Sequence, residues 1–543
     1  MTALAPPRRG KESSLRGQAD GANSGARAPW PLVGAGLVVA GAAILPLVYL
    51  VVRATGAEGD VLGFLARPRT IGAVGGSLAL AITVGLGTIM IGVPVAWLTA
   101  RTDLPGRRAW AVLTAVPLAL PSYLVGFAFL GAFGPRGALQ ALLAPLGVER
   151  LPSATGLPAA VLVLSLVTFP YVSLATRAAL LRLDPAVEES ARLLGDTRMA
   201  TFRRVIVPAV MPAVGAGALL ATLYALADFG AVSLLQTDSL SRAIYLQLGA
   251  SFDRSLAAVL ALVLVGLVMA LVLVESRLRR RAAAWGSAAR RRRATIVPLG
   301  RWRWPAVIGL AILTGLSLGV PVVTVAWWLV RGVTQGEPVS LLPSVTIDTM
   351  LVGSLAAAFA VVLALPVALL GGRYRSRLGE AVSATVLTAY ALPGIVVALA
   401  MIFLATRSVP ALYQTMALLV MVYAVRFAAQ TVGSLRASIA SVPARMEEAG
   451  RTLGDGPLQA FGRLTVPYLR PTLVAGAALV FLTVIKELPL ALLLSPIGFR
   501  TLATEVWDAA SAGFYARAAA PAAVLLIVSL ASMSILIRAE SNE

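Results

Sequence analysis

The stretch EESARLLGD at residues 188–196 recurs, with few changes, as EEAGRTLGD at residues 447–455. Each copy is a short charged segment that ends in glycine and aspartate. The rest of the chain is different in character, because 58% of its 543 residues are hydrophobic and only 13% are charged. A soluble domain carries roughly 25% charged residues. Apolar runs of about 20 residues recur along the chain, and this length predicts a membrane protein.

The similarity between the two copies continues downstream. Residues 188–212 align without gaps to residues 447–471 at a constant offset of 259, with 11 identities in 25 positions. The identical pairs include Glu188 with Glu447, Arg192 with Arg451, Gly195 with Gly454, Asp196 with Asp455, Phe202 with Phe461, Arg204 with Arg463, Pro208 with Pro467 and Pro212 with Pro471. Apolar residues agree easily between spans, but polar, Gly and Pro residues do not. The sequence therefore indicates an internal duplication.

Twelve apolar stretches are long enough to cross a membrane. They lie near residues 30–52, 72–98, 109–131, 157–178, 212–235, 255–276, 306–330, 349–371, 381–405, 411–432, 472–495 and 518–537. Six spans in each half is an even number, so both halves enter the membrane in the same direction. The predicted fold is an all-α membrane protein with about 12 transmembrane helices in two parallel six-helix repeats, related by a pseudo-twofold axis along the membrane normal.

Charge distribution predicts the orientation. With a cytoplasmic N-terminus, the cytoplasmic segments carry about three times as many Lys and Arg as the outer loops, as positive-inside bias requires. Both termini and both repeated segments are then cytoplasmic. The first apolar run is longer than a signal-peptide core, which favours a retained span over a cleaved signal. The predicted organisation is a cytoplasmic tail over 1–29, a first six-span half over 30–276, a basic cytoplasmic linker over 277–304 and a second six-span half over 305–543.

Composition excludes several function classes. The chain has no Cys and no His, which excludes disulfides, thiolate nucleophiles and nearly all zinc or haem ligand sets. No metal site and no catalytic residue are predicted. The net charge of +21 is concentrated in cytoplasmic segments, so we expect contact with membrane lipid and no nucleic-acid partner. A P-loop needs G-x-x-x-x-G-K-[ST], and neither Lys11 nor Lys486, the two lysines, lies in such a sequence.

The first repeated segment carries signals for a helix, a turn and a second helix. Asp184 can cap the first helix, Pro185 suits its first position, and Glu188 and Glu189 favour the positive end of its dipole. Gly195 can adopt the left-handed conformation that ends the helix, and Asp196 can cap the next one. The segment is either an ordered connector or a docking element. Its recurrence with the same Gly–Asp joint at Gly454 and Asp455 favours docking.

Predicted spans five and eleven contain ionisable residues. Asp228 in LADFG aligns with Glu487 in IKELP at the same offset, next to Lys486. A charge in a span costs roughly 2.5–3.5 kcal/mol, so these side chains should face the protein interior. Both acids follow the first proline of their span by roughly 24 Å of helix, which predicts a position near the outer leaflet. They either border a polar path through the protein or form structural ion pairs, with Asp228 as a candidate partner of Lys486.

Two further spans contain helix-breaking residues. Pro121 interrupts the third span, and Pro393 with Gly394 interrupts the ninth at a comparable place. Such breaks are tolerated where the backbone is buried in protein or lines a cavity. They indicate either a gate or simple helix kinks.

A family resemblance follows from the repeated segments. Glu189, Ala191 and Gly195, followed by VIVP at 205–208, match E-x-A-x-x-x-G. The second copy reads Glu448, Ala449, Gly450 and Gly454, followed by LTVP at 464–467. This resembles the EAA loop of binding-protein-dependent ABC importer permeases, with both halves fused in one chain over about residues 30–538. The departures are Ser190 and Gly450, which are small residues in place of the family alanine.

The resemblance implies a type I ABC importer permease fold in a bacterial cytoplasmic membrane and a non-enzymatic permease subunit. It also implies two cytoplasmic ATP-binding cassette subunits, which would hold ATP and magnesium, and an external solute-binding protein; no cofactor is expected on this chain. Each loop would insert a coupling helix into one ATPase. The predicted coupling residues are Glu188, Glu189, Ala191, Gly195, Asp196, Glu447, Glu448, Ala449, Gly450, Gly454 and Asp455; the predicted path residues are Asp228, Lys486 and Glu487.

The cargo is less constrained. The fused form and the phrases LADFGAVSLL, RAIY, KELPLALLL and FRTLATEVW are most similar to ferric-iron importer permeases, while permeases for thiamine, phosphonate or polyamines share the architecture. Two other classes of protein fit the sequence less well. A secondary transporter could couple to ions through Asp228 and Glu487 but has no use for paired docking loops. A membrane enzyme would need convergent catalytic residues, and the sequence shows none.

Overall fold

The computed structural model describes residues 28–56, 60–135, 137–148, 150–250, 255–285, 296–337, 343–374, 376–443, 446, 449–450 and 452–541. The α-helices of these residues are α1 Trp30–Thr55, α2 Val61–Leu65, α3 Pro68–Arg101, α4 Arg107–Leu113, α5 Ser122–Phe133, α6 Ala138–Leu143, α7 Leu157–Arg182, α8 Pro185–Leu193, α9 Arg198–Thr201, α10 Val207–Ala227, α11 Gly230–Leu234, α12 Leu240–Ala250, α13 Ser255–Trp285, α14 Arg303–Thr314, α15 Val320–Thr334, α16 Pro343–Gly372, α17 Arg377–Tyr390, α18 Gly394–Ser408, α19 Met416–Ser441, α20 Pro457–Ala460, α21 Val466–Ile485, α22 Pro489–Leu494, α23 Leu502–Ser511 and α24 Tyr515–Ser541.

Tighter and wider helical turns connect some of these helices. The 3₁₀ turns are Val116–Ala119, Ala144–Leu146, Gly300–Trp302 and Pro410–Leu412, and the π-helical turns are Phe202–Ile206, Gly315–Gly319 and Phe461–Thr465. The described residues contain no β-strand, only an isolated bridge between Thr102 and Val297. The all-α prediction is confirmed.

Membrane-length helices are divided equally between the halves. Among the residues that the structure describes, eleven helices are long and apolar enough to cross a membrane, and the count is twelve if the bent pair α17 and α18 forms one span. This confirms about twelve spans, six in each half.

The proline-interrupted spans are broken helices rather than kinked ones. Between α17 and α18 the axis turns by 102° at Leu392 and Pro393. In the first half, the predicted span 109–131 is divided into α4, a 3₁₀ turn and α5, and α5 begins directly after Pro121. Proline removes a backbone donor and clashes with the preceding turn, so both breaks occur where the sequence places proline.

Predicted spans five and eleven are also interrupted. The first was expected over 212–235, but α10 ends at Ala227 and α11 begins at Gly230. The second was expected over 472–495, but α21 ends at Ile485 and α22 begins at Pro489. Asp228, Lys486 and Glu487 therefore lie in connections between helices and not inside continuous ones. Helix α10 is nevertheless continuous from Pro212 to Ala227, and α21 is continuous from Pro471 to Ile485. The distance of roughly 24 Å along the helix axis therefore still describes how far the two acids lie from these prolines.

The repeat is visible in the helix bounds. Helices α7 and α19 have limits that differ by 259 residues at both ends, as do the π-helical turns Phe202–Ile206 and Phe461–Thr465. Upstream the offset is larger, because α6 and a 3₁₀ turn separate α5 from α7, whereas one 3₁₀ turn separates α18 from α19. The additional residues are thus confined to one connection.

The first membrane helix of each half packs on the other half. Helix α1 contacts α16, α17 and α18, and the Tyr49 hydroxyl donates to the carbonyl oxygen of Phe403 at 3.1 Å. In the opposite sense, Trp328 Nε1 on α15 donates to the carbonyl oxygen of Gly131 at 3.0 Å. A buried hydrophobic core therefore continues across both halves.

The predicted linker begins and ends within structured segments. Helix α13 continues past residue 276 to Trp285. After residues 286–295, which lie outside the description, the Val297 amide donates to the Arg101 carbonyl at 2.7 Å, and the Leu299 amide donates to Asp103 Oδ1 at 2.8 Å. The end of the linker is therefore attached to the first half. Residues 1–27, most of the predicted tail, also lie outside the description.

Helices α12 and α23 are anchored in equivalent ways. The Leu240 amide at the start of α12 donates to Ser77 Oγ at 2.7 Å, and the Leu502 amide at the start of α23 donates to Thr349 Oγ1 at 2.9 Å. Ser77 lies on α3, and Thr349 lies at the same stage of the second half, on α16. The duplication therefore extends to these short helices.

Candidate translocation cavity and repeat loops

The two repeat loops, residues 184–204 and 443–463, have the same joint. In the first, φ of Gly195 is +96°, and in the second, φ of Gly454 is +97°. The Asp196 amide donates to the Ala191 carbonyl at 3.1 Å, and the Asp455 amide donates to the Gly450 carbonyl at 3.0 Å. This is the left-handed helix end that glycine makes without a steric penalty. Both loops consequently turn in the same way.

The first helix of the first loop forms as its sequence predicts. Asp184 Oδ1 accepts the Ala186 amide at 3.0 Å, and Pro185 is the first residue of α8. The second helix differs from the prediction, because Thr197, and not Asp196, is its cap: Thr197 Oγ1 accepts the Ala200 amide at 3.2 Å.

The two aspartates of the joints bind arginine instead. Asp196 Oδ1 lies 3.0 Å from Arg204 Nη1, and Asp455 Oδ1 lies 3.1 Å from Arg463 Nη1. These arginines are exposed, so each pair contributes little stability. Its effect is to hold the joint against the π-helical turn that follows.

Glu188 is buried and paired across the fold. Its Oε1 lies 2.9 Å from Arg101 Nη2, and the two side chains are 5% and 1% exposed. Arg101 is the last residue of α3, 87 positions earlier in the chain, which sequence reasoning could not connect. Glu189 remains exposed. Their equivalents Glu447 and Glu448, with Arg451, lie outside the described residues.

The small residues of the motif occupy different settings. Ala449 is exposed, whereas Gly450 is buried, and a Cβ there would lie 2.8 Å from Leu464 Cδ1. Ala191 is half-buried. Gly450, which replaces the alanine of the family motif, therefore lies where a leucine side chain approaches the backbone closely.

Apolar side chains project from both loops. Leu194 is 89% exposed and its equivalent Leu453 is 87% exposed; Met199 and its equivalent Leu458 are 58% and 85% exposed. Paired apolar exposure at the same positions of a repeat is typical of an interaction surface. The loops thus present two similar surfaces.

A cavity of about 440 Å³ lies between the halves. It contains all three predicted path residues, Asp228, Lys486 and Glu487, together with Pro121 and Gly394 from the two helix breaks. The cavity also includes residues that sequence reasoning did not single out: Ser122, Tyr123, Tyr171, Tyr224, Tyr390, Arg426 and Thr483. The breaks and the intramembrane charges therefore form one site.

Asp228 has its hydrogen bonds within the protein. Its Oδ1 accepts the Ala231 amide at 2.9 Å and the Val232 amide at 3.3 Å, so it stabilises the start of α11. Ser122 Oγ donates to its other carboxylate oxygen. Asp228 thereby joins α11 to the start of α5 at one side of the cavity.

The two cations of the cavity bind backbone carbonyls at the helix breaks. Lys486 Nζ donates to the carbonyl oxygen of Leu118 at 3.0 Å, and Arg426 Nη2 donates to that of Leu392 at 3.1 Å. Both carbonyls precede a break, where the next helical turn is absent. Since an unpaired carbonyl in a membrane is costly, these cations stabilise the breaks. The suggested pair between Lys486 and Asp228 does not form.

Glu487 differs from its equivalent Asp228. Its Oε1 lies 3.6 Å from Arg426 Nη1, and within the described residues this oxygen accepts no hydrogen bond. Arg426 is not among the residues that the sequence analysis singles out. The available signal was its position inside the apolar run 411–432.

A polar group on α19 completes the second-half side. Gln430 Nε2 donates to the Tyr390 hydroxyl at 2.8 Å and to Thr483 Oγ1 at 3.1 Å. On the first-half side, Gln430 and Thr483 are replaced at the same offset by Tyr171 and Tyr224. At these two positions the first half therefore presents tyrosines, whereas the second half presents an amide and a hydroxyl group.

The segment FRTLATEVW forms the start of α23. Thr501 caps this helix through the Thr504 amide, and Arg500 Nη1 lies 2.8 Å from Glu505 Oε1. The hydrogen bond that Arg500 donates to Glu505 raises the pKa of Arg500, and burial raises the pKa of Asp508 on the same helix. Trp507 of this helix packs on Phe229 beside the cavity, with ring centroids 5.2 Å apart.

Comparison with known families agrees with this geometry. The family described as binding-protein-dependent transport system inner membrane component matches residues 89–282 and 360–539. The chain belongs to this family. It is a multi-pass inner-membrane permease subunit of an ABC importer, and the fused two-half prediction is confirmed.

Individual relatives are similar over different lengths. The Fe(3+)-transport system permease protein FbpB 2 of Haemophilus influenzae is 30% identical over 490 residues, covering 89% of this chain and 93% of the relative. The sulfate transport system permease protein CysT of Salmonella typhimurium is 28% identical over 40% of this chain and 80% of its own. The molybdenum transport system permease protein ModB of Escherichia coli is 29% identical over 38% of this chain and 91% of its own.

Solved structures give a weaker similarity. A bacterial alginate ABC transporter, in complex with a periplasmic protein that carries alginate pentasaccharide, has a TM-score of 0.37 at 18% identity, covering 45% of this chain and 90% of its own. The inward-facing MetNI methionine ABC transporter has a TM-score of 0.32 at 19% identity, covering 41% and 99%.

Proposed function

We propose that this permease imports ferric iron, delivered by an external solute-binding protein and driven by two cytoplasmic ATP-binding cassette subunits. The support for iron is the extent of the similarity to the Haemophilus iron permease, which includes both halves. The sulfate and molybdenum permeases match less than half of the chain. ATP and magnesium would be held by the partner subunits, and no cofactor is proposed on this chain.

The observation that carries the coupling proposal is the matched pair of repeat loops. Both end a helix at a left-handed glycine, and both expose a leucine directly before it, Leu194 and Leu453. Two identical ATPase subunits would need two similar surfaces. The residues proposed for this contact are Glu189, Ala191, Gly195 and Asp196 in the first loop and Glu448, Ala449, Gly454 and Asp455 in the second.

Orientation belongs to the same proposal. ATP is cytoplasmic, so loops that bind ATPase subunits must be cytoplasmic. Each half has six spans, and both termini then lie on that side. Positive-inside bias supports this arrangement independently.

Within the cavity, we propose that the helix breaks and Glu487 change position during transport. Gly394 lies so close to Glu487 that a Cβ there would be 2.4 Å from Oε1 and 2.8 Å from Arg426 Nη1. A displacement of α18 would therefore change the Glu487–Arg426 pair directly. The carboxylate of Asp228 already accepts hydrogen bonds within the protein, so we propose a structural role for it at the edge of the path.

An oxyanion cargo is the second candidate. Arg426 and Lys486 place two cations in the cavity, and the sulfate and molybdenum permeases are relatives. Both cations already bind backbone carbonyls, which leaves iron as the first choice.

Reconstitution tests function and cargo together. The full chain, ATPase subunits and binding protein encoded by neighbouring genes would be placed in proteoliposomes, and uptake of radiolabelled ferric citrate, sulfate and molybdate would be measured. We expect ATP-dependent iron uptake that fails when Leu194→Asp and Leu453→Asp are combined, while Leu146→Asp, an exposed leucine outside the loops, has no effect. Uptake of an oxyanion instead of iron would overturn the cargo. Uptake driven by an ion gradient without ATP would favour a secondary transporter.

A further inference from the structure

A second and larger groove lies beside the first repeat loop, away from the translocation cavity. Its volume is about 730 Å³, within the range of about 300–1,000 Å³ usual for ligand sites. One wall is a face of α3 with Ile89, Val93 and Trp97, and the other is a face of α10 with Val207 and Val210. The groove is therefore lined mainly by apolar side chains.

The groove arises because two helices meet at one level and separate at another. At Gly85, α3 touches α10 so closely that a Cβ would lie 2.5 Å from Thr222 Oγ1. Toward the loop they part, and the Phe202 ring lies between them, 5.2 Å from the Trp97 ring. From Ile89 to Arg101 the groove follows α3 for roughly 18 Å. It is thus a long apolar channel that ends at the loop.

The two ends of the groove have different chemistry. Along its length the rim carries Met90 and Met211, which are 77% and 55% exposed on helices that span the membrane, so this side faces lipid. At the loop end, the exposed cations Arg192 and Arg198 line the groove. At its base lies Arg101, which is 1% exposed and paired with Glu188, another lining residue. The Arg101 Nε finds no hydrogen-bond partner in the described part of the chain. An apolar channel with cations at its mouth is complementary to an anionic amphiphile.

We propose that this groove binds one anionic phospholipid, with an acyl chain along α3 and α10 and its phosphate at Arg192 and Arg198. Basic pockets between membrane helices at the cytoplasmic face are suited to such headgroups. The site belongs to the first half alone, because the equivalent of Arg198 is Pro457 and the equivalent of Met211 is Arg470. The bound lipid contacts the first repeat loop and anchors that loop at the inner leaflet of the membrane.

Native mass spectrometry of the purified full chain tests the site. The protein would be exchanged into detergent containing either dioleoyl phosphatidylglycerol or dioleoyl phosphatidylcholine, and retained lipid would be counted after washing. We expect one phosphatidylglycerol per chain, in preference to phosphatidylcholine. Arg198→Gln should weaken its retention about fivefold, since one cation near an anionic lipid surface is lost. Val207→Phe should reduce retention by filling the groove.

Matched controls come from outside the groove. Val466→Phe makes the same change 259 residues later, and Arg203→Gln removes an exposed arginine that does not line the groove; both should leave retention unchanged. Thermal unfolding shows whether each variant is folded. If Val207→Phe does not fold, Arg198→Gln, which changes a surface residue, still tests the proposal. Equal retention of both lipids, or equal losses in the controls, would overturn the proposal. Displacement by inorganic phosphate alone would assign the cations to a free anion and overturn it as well.

Discussion

At the scale of single residues, the charged side chains of the cavity mainly stabilise the backbone at the helix breaks. Lys486 and Arg426 each bind a carbonyl oxygen that precedes a helix break, one in the first half and one in the second. Both cations come from the second half, so Lys486 also joins the halves. Glu487 balances Arg426, and Asp228 caps a helix. A broken helix in a membrane needs such partners.

Replacing Lys486 should damage stability as well as transport. Lys486→Met leaves the Leu118 carbonyl without its donor, and a buried unsatisfied group costs about 1–3 kcal/mol. Lys486→Arg retains donors that can reach this carbonyl and should be much milder. Denaturant unfolding in detergent, together with ATP-driven uptake, measures both effects. Equal stability of the Met variant and the unmodified protein would refute a backbone-satisfying lysine.

Asp228 should tolerate loss of charge better than loss of its oxygens. Asp228→Asn retains an oxygen that can accept the Ala231 amide, whereas Asp228→Ala removes the cap at a cost of about 0.5–2 kcal/mol. We expect near-normal uptake for Asn and reduced stability for Ala, measured by uptake and thermal unfolding. If the Asn variant were as inactive as the Ala variant while remaining folded, the negative charge itself would be required for transport.

At the scale of elements, the helix–turn–helix loops depend on one backbone conformation. Gly195 and Gly454 adopt it in both halves, and both conformations could be predicted because a glycine lies just past the predicted helix in each copy. The Asp196–Arg204 and Asp455–Arg463 pairs could not be predicted, because a side chain eight residues away comes near only after the π-helical turn forms.

Alanine at either joint should impair coupling. Gly195→Ala or Gly454→Ala forces a Cβ into the left-handed region at about 1–2 kcal/mol and should redirect the exposed leucine beside it. We expect weaker co-purification of ATPase subunits and lower uptake. Gly462→Ala is the control, because a Cβ there meets nothing within 4 Å and φ is not positive. Full coupling in the joint variants would show that the turn is not required.

The buried pair between Arg101 and Glu188 should connect α3 with the first loop. Glu188→Gln leaves Arg101 unpaired, which costs about 3–5 kcal/mol for a buried charge. The double variant Arg101→Met with Glu188→Leu replaces the pair by apolar packing and should recover much of this loss. Unfolding in detergent, analysed as a double-mutant cycle, gives the coupling free energy. Additive losses would mean that the two residues act independently.

At the scale of the whole molecule, sequence was sufficient for the helix number, the duplication and the family, because these depend on apolar length and on repeated Gly, Pro and charged positions. It was insufficient for the cavity. Tyr123, Tyr171, Tyr224 and Arg426 meet there only because α5, α7, α10 and α19 converge between the halves, and no local pattern records that convergence. The exchange of α1 and α15 between halves was likewise invisible, since apolar helices carry little information about their partners.

The central claim is that one chain presents two equivalent docking surfaces, one to each of two ATPase subunits. Because the chain has no cysteine, Leu194→Cys and Leu453→Cys each introduce a single thiol at an exposed position. Disulfide cross-linking to an ATPase subunit that carries one cysteine in its docking cleft tests each loop within the assembled transporter. We predict that each single variant links one ATPase subunit, that the double variant links two, and that the yield changes on ATP addition. Cross-linking at only one loop, or at neither, in an assembly that still imports its cargo with ATP would contradict the account.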